Sequence, residues 1–163
     1  MEFDREFMET VQLGALLHDI GKIGIKDSIL NKPAKLTDEE FEIMKTHVMI
    51  GANIVKPVSG LSKLADGILY HHERWDGRGY PMGLKGENIP IAGRIVHVAD
   101  SYDTITTARA YKLAQTPDEA FEELIRCAGS QFDPQIVELF FKAYKSGRLS
   151  KREYLSFDFS RLR

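Results

Sequence analysis

Cysteine occurs once in the 163 residues of this chain, at Cys127, so an internal disulfide and a thiolate-based zinc cluster are both excluded. No apolar run approaches the roughly 20 residues that a membrane-spanning helix needs. The opening Met-Glu-Phe-Asp-Arg-Glu-Phe lacks the basic-then-apolar order of a signal peptide. An excess of one charge is also missing: 22 basic against 24 acidic residues leave a formal charge of -2, too little basic field for duplex nucleic acid. Internal repeats and low-complexity blocks are absent as well. The expectation is a cytoplasmic protein in a reducing compartment, with no membrane insertion and no duplex nucleic-acid partner. A local cationic cluster could still hold a small anionic ligand.

What is present is an ordinary globular composition, 43% hydrophobic and 28% charged, enough for one sizeable core. Phe3, Phe7, Val11 and Ala15 recur at helical spacing toward His18-Asp19, and that helix is expected to stop near Gly21–Gly24. The stretch from Lys26 to Lys35 reads as loop or short turns. Thr37 with Glu40 predicts a capping box, and a helix from Asp38 reaching His47 near its end. Further helices are expected before Pro57, from Leu61 to His72, and from Ile91 to about Thr107. Thr116-Pro117 and Asp133-Pro134 start two more, which Gly129 and Gly147 end. Cys127 sits in the apolar pattern of the first of these and is expected to be a packed core thiol. Every predicted segment is helical, so the fold class is all-α. Residues 1–147 are expected to form the domain, and residues 148–163 a C-terminal arm or linker. Leu155, Phe157 and Phe159 alternate there among Lys151, Arg152, Arg161 and Arg163.

Chemistry is concentrated at the histidines. His18, His47, His71 and His72 fall at predicted helix ends or beside glycine-rich turns, accompanied by Asp19 and Asp100. Imidazoles and carboxylates without thiolates suit iron, manganese or zinc rather than calcium. Neighbours such as His71 and His72 diverge by about 100° on a helix, so they are expected to straddle two metals rather than address one point. A carboxylate bridging paired ions is the arrangement that activates water and steadies the leaving oxygen of a phosphodiester. His97, three residues before Asp100, reads as ordinary packing rather than as a further ligand.

In these residues the sequence resembles the HD-GYP family, a branch of the HD superfamily. The resemblance rests on Leu17-His18-Asp19-Ile20-Gly21-Lys22, on Lys45-Thr46-His47 and on His71-His72-Glu73-Arg74-Trp75-Asp76-Gly77-Arg78-Gly79-Tyr80-Pro81. It continues through Ile89-Pro90-Ile91-Ala92-Gly93-Arg94-Ile95, Val98-Ala99-Asp100, Arg109-Ala110-Tyr111-Lys112 and Gln131-Phe132-Asp133-Pro134. It implies a compact helical domain of about six to seven helices and metal-dependent hydrolysis of a cyclic dinucleotide, cyclic di-GMP above all, to the linear dinucleotide or GMP. The implied cofactors are two divalent ions, iron or manganese with zinc as the alternative, held by His18, Asp19, His47, His71, His72 and Asp100. Asp19 is implied as the bridge, Lys22 as the lysine facing the reacting phosphate, and Arg109 with Lys112 as a phosphate-gripping pair. Glu73 is expected to orient a histidine, while Gly79, Tyr80 and Pro81 shape the loop. In the family that loop is linked to GGDEF-type cyclase domains, so such a protein is an implied partner, and homo-oligomerisation stays open.

The pattern departs from the family at two places. Ala110 stands where a proline is common, and no histidine occurs among the seventeen residues before His18, where the family brings another ligand. One metal position is therefore expected to be underligated, or completed by water or another chain. Two alternative readings remain: a catalytically weak or inactive signalling module, and an HD phosphohydrolase acting on another phosphoester.

Overall fold

The computed structural model describes residues 3–108 and 113–147. Arg109 and Lys112, with the expected arm over 148–163, lie outside the described residues. Among those described there are helices and turns but no strands, the single β-type contact being an isolated bridge between Ala128 and Phe132.

Helix α1 (Arg5–Leu17) starts where the Asp4 side chain accepts from the Phe7 amide and stops at His18, after which Ile20–Gly24 forms a 3-10 turn. The stretch read as loop holds one helical turn, α2 (Asp27–Leu30). Helix α3 (Asp38–Lys45) carries the predicted box in full, since Thr37 accepts from the Glu40 amide and Glu40 accepts from the Thr37 amide. It ends at Lys45, two residues short of His47, which instead opens α4 (His47–Val55). A 3-10 turn (Ser62–Leu64) leads into α5 (Ala65–Tyr70), which leaves His71 and His72 just past its end. After the glycine-rich loop come α6 (Ile91–Thr106), α7 (Pro117–Arg126) and α8 (Pro134–Lys145), the last two starting at the expected Thr116-Pro117 and Asp133-Pro134 signals.

Two apolar cores lie on either side of α6. Leu13 of α1, Val48, Ala52 and Val55 of α4, and Ile68 and Leu69 of α5 form one; Val98 of α6 joins Phe121, Leu124, Ile136 and Val137 of α7 and α8 in the other. Val11, Ala92 and Val96 stitch α1 to α6 between them. The first core holds α1, α4 and α5 with their histidine-bearing ends together, and α6 crosses beside them carrying Asp100. Cys127 is the C-cap of α7, half-buried at the edge of the second core, with its thiol 3.4 Å from Glu123 Oε1. It is less enclosed than expected because the helix ends one residue before it.

Candidate metal centre

Gly21 determines how closely the turn after α1 approaches α4. A Cβ at this position would collide with the His47 carbonyl and the Gly51 amide, so only glycine lets the Asp19-bearing turn lie flat on the first turn of α4. That contact brings His18 and Asp19 alongside His47. The end of α5 supplies His71 and His72, and α6 supplies Asp100.

Three of the histidines are held in the same way. His18 Nδ1 lies 2.7 Å from the Ala15 carbonyl, His47 Nδ1 2.8 Å from the Met44 carbonyl and His71 Nδ1 2.7 Å from the Ile68 carbonyl, each three residues back in the chain. A carbonyl only accepts, so each Nδ1 carries a proton; His47 and His71 then present Nε2 as a bare lone pair, whereas His18 Nε2 faces the Asp19 and Asp100 carboxylates. Nε2 of His47 and of His71 is buried without any hydrogen-bond partner. An orphaned buried acceptor is costly, and a converging set of them is a place for a cation. Ligand atoms of His47, His71 and His72 lie within 4.8 Å of one another, as do those of His18, Asp19 and His71. The donor set, with no thiolate in it, therefore fits divalent metal ions, and His71 belongs to both groups.

His71 and His72 do not diverge as neighbours on a helix would. Helix α5 ends at Tyr70, the chain turns, and the two rings sit 4.0 Å apart, with His72 5.2 Å from His47. The two acids face the histidines: His18 Nε2 is 3.3 Å from Asp19 Oδ2 and 3.5 Å from Asp100 Oδ1, and His47 Nε2 is 3.4 Å from Asp19 Oδ1. Lys22 Nζ donates to Asp19 Oδ2 at 2.6 Å, which puts its ammonium at the mouth of the cluster.

Charge is divided unevenly over the cluster. Burial pulls the His18 imidazole down, but the carboxylates of Asp100 and Asp19 outweigh it and raise the group to about 10. Burial would raise Asp19; the bonds from His18 and Lys22 prevail and hold it well below the usual carboxylate range. Burial first, then the neighbouring imidazoles, push His71 down to about 2 and His72 to about 4, and burial lowers His47 as well. His47, His71 and His72 are thereby neutral beside ionised carboxylates, as metal ligands must be, while His18 would release a proton on binding an ion.

The glycine-rich loop is clamped onto this cluster. Gly79 lies against the backbone of His72, Glu73 and Arg74 with no room for a Cβ, and the Tyr80 ring stacks on His72 at 4.8 Å. Pro81 follows through a cis peptide bond. Glu73 was expected to orient a histidine, yet its buried carboxylate accepts from the amides of Met82 and Leu84 at 2.7 and 3.0 Å. The carboxylate closes the loop because those two amides are the donors within its reach. Arg74 grips Asp76 through two nitrogens and donates a third bond to Gln131 Oε1. With its oxygen so used, Gln131 turns its amide nitrogen toward His97 Nε2, 3.3 Å away. His97 therefore acts as an acceptor in packing, not as a member of either ligand group. Sequence reading missed this Arg74–Gln131–His97 chain, since nothing local in the sequence ties positions so far apart.

The chain matches the HD domain family over residues 1–136. It is 49% identical over 149 residues to a cyclic di-GMP phosphodiesterase of Thermotoga maritima, covering 89% of this chain and 40% of that protein. A 3'3'-cGAMP-specific phosphodiesterase of Vibrio cholerae is 46% identical over 125 residues, covering 76% of this chain and 24% of that protein. The chain thus spans well under half the length of these curated relatives. A solved cyclic GMP-AMP-specific phosphodiesterase of V. cholerae superposes with a TM-score of 0.70 over 90% of this chain and 40% of the other; at 22% identity the likeness is one of fold. No helix among the described residues is long and apolar enough to cross a membrane. With a matching family signature over most of its length and the histidine–aspartate constellation assembled at the helix ends, the chain belongs to the HD domain family, in its HD-GYP branch.

Proposed function

We propose that this chain hydrolyses a phosphodiester bond of a cyclic dinucleotide, cyclic di-GMP first among them, using divalent ions held by His18, Asp19, His47, His71, His72 and Asp100. The observation that carries the reading is the pair of buried, unpartnered Nε2 acceptors on His47 and His71, gathered with His72, His18 and Asp19 within ligand distance of one another. Relatives named as cyclic di-GMP and 3'3'-cGAMP phosphodiesterases support the substrate class. Iron or manganese suits the mixed nitrogen and oxygen donors, with zinc the next choice.

Such ions supply Lewis acidity toward a phosphoryl oxygen and toward water. The protein's own part is positional and electrostatic. Asp19 reaches toward both His18 and His47 and is the group best placed to span two ions. The backbone anchors of His18, His47 and His71 fix the three rings, so little reorientation accompanies ligand binding. Lys22, tethered to Asp19, offers an ammonium to the phosphate that is attacked. Arg109 and Lys112 are proposed to hold the substrate's phosphates from the segment that follows α6.

The test is direct. The purified chain is stripped with chelator, reloaded with manganese or with iron under reducing conditions, and assayed for metal content and for products from cyclic di-GMP and 3'3'-cGAMP. Linear dinucleotide or GMP from the loaded sample, abolished by Asp19→Asn, is the expected result. Metal binding without either product from either substrate would remove the phosphodiesterase reading, and dinucleotide binding without turnover would assign a signalling module instead.

A further inference from the structure

Beside the ligand cluster, sharing His72 with it, a cleft of about 320 Å³ opens between α3 and the glycine-rich loop. That volume is at the lower end for a small-molecule pocket, room for one nucleoside of a dinucleotide rather than for both. Its aromatic wall is unusual for a protein surface. Phe41 keeps 45% of its surface exposed on α3, and its ring meets the edge of Tyr80 at 6.4 Å, while Tyr80 in turn stacks on His72. One aromatic path thus runs from a candidate metal ligand to an exposed phenyl ring. An exposed aromatic face beside a reaction centre is what a flat, π-rich ligand fragment would cover.

Three cationic side chains, Lys45, Arg74 and Arg78, also line the cleft. Lys45, four residues after Phe41 on the same helix face, holds its ammonium 5.0 Å from the Phe41 ring and 5.7 Å from Tyr80. Lys45 is paired with Glu42, and Arg74 is committed to Asp76 and Gln131. Arg78 differs. Its backbone amide is pinned to Asp76 Oδ1 at 3.0 Å, which fixes where the side chain starts, and the exposed guanidinium lines the cleft with no hydrogen bond of its own among the described residues. A guanidinium with free donors next to an aromatic platform matches the Hoogsteen edge of guanine, where O6 and N7 accept a bidentate pair; adenine offers a donor in place of O6.

Resting on the phosphodiesterase reading above, we propose that this cleft takes one guanine of the cyclic dinucleotide, stacked on Phe41 with Arg78 on its O6/N7 edge. Phe41 then sets affinity for any purine, and Arg78 sets the preference for guanine over adenine.

Equilibrium binding of cyclic di-GMP and cyclic di-AMP, read by isothermal titration in an Asp19→Asn background, tests the cleft. Turnover by the unaltered chain tests the phosphodiesterase reading separately, so the two can fail independently. Phe41→Leu keeps the apolar bulk without the ring face and is expected to weaken binding of both ligands about tenfold, with Phe41→Trp restoring it. Arg78→Gln is expected to weaken cyclic di-GMP about tenfold while cyclic di-AMP binds as well or better, since a glutamine amide matches adenine N6/N7. Unchanged dissociation constants in Phe41→Leu and Arg78→Gln, equal losses for both ligands in Arg78→Gln, or no dinucleotide binding at all would each overturn the assignment.

Discussion

His18 Nε2 lies 3.5 Å from Asp100 Oδ1, joining the last turn of the first helix to the middle of α6 across 82 residues of chain. The same nitrogen is 3.3 Å from Asp19, so one imidazole is shared between two carboxylates. Asp100→Asn keeps the shape and removes one of the two anions. Metal retention in this variant is expected to fall by about tenfold or more. Ions that bind only the folded chain stabilise it, by about 2.7 kcal/mol at one hundred times the dissociation constant. The measurement is the melting temperature during a manganese titration of chelator-treated protein: the unaltered chain should rise steadily, and Asp100→Asn should need correspondingly more metal for the same rise. Coincident curves would place Asp100 outside the metal centre.

Gly21 carries a second prediction. Its Cα rests on the first turn of α4, and a methyl group there meets the His47 carbonyl and the Gly51 amide, backbone atoms that cannot swing aside. Gly21→Ala is expected to cost about 3 kcal/mol, the upper end for overpacking, and to push Asp19 away from His47. Chemical denaturation gives the first effect and metal content of the refolded variant the second. A variant of unchanged stability would mean that the turn and α4 separate easily.

Much of this architecture was legible in the sequence because its signals are local. The Thr37/Glu40 and Thr116/Glu119 boxes and the Asp133-Pro134 start each act within four residues, and the structure has helices beginning at all three. Gathering His18, Asp19, His47, His71, His72 and Asp100 required the order of motifs, since no periodicity links residues so far apart. What could not be read were outcomes decided by tertiary contact. Whether His71 and His72 converge depends on α5 stopping at Tyr70, and whether Glu73 meets a histidine or the loop depends on where Met82 and Leu84 return. Nor does the sequence show where Phe41 points: only the way α3 sits against the loop leaves its ring facing the cleft.

Glu73 gives the third prediction. Its two oxygens are buried and satisfy two loop amides. Glu73→Gln leaves one oxygen for one amide and turns an N–H toward the other, a clash of donors with a cost of about 1–3 kcal/mol. The loss is expected to be local, with faster hydrogen exchange at the Met82 and Leu84 amides and weaker closure of Tyr80 over His72. Exchange rates equal to those of the unaltered protein at both amides would mean that the carboxylate does not hold the loop.

His97, which belongs to neither ligand group, supplies a pH-dependent prediction. Burial first, then the nearby Arg74 cation, push its imidazole down to about 4, against the opposing pull of the Glu73 backbone and Asp100. Its Nε2 accepts from Gln131, whose orientation Arg74 fixes, so a proton on that nitrogen would face a donor. In the unfolded chain the same group titrates near 6.5. The folded state therefore binds fewer protons between those values, and stability present above about pH 6.5 declines as pH falls toward 4, by about 3 kcal/mol for this group alone. His97→Gln removes the titration while keeping a polar side chain. The variant is expected to be the less stable of the two at pH 7.5, because its packing is imperfect, and the gap should narrow steadily between pH 6.5 and 4.5. Parallel stability curves for the two proteins across that range, followed by thermal or urea unfolding in chelator, would show that His97 is protonated as readily folded as unfolded.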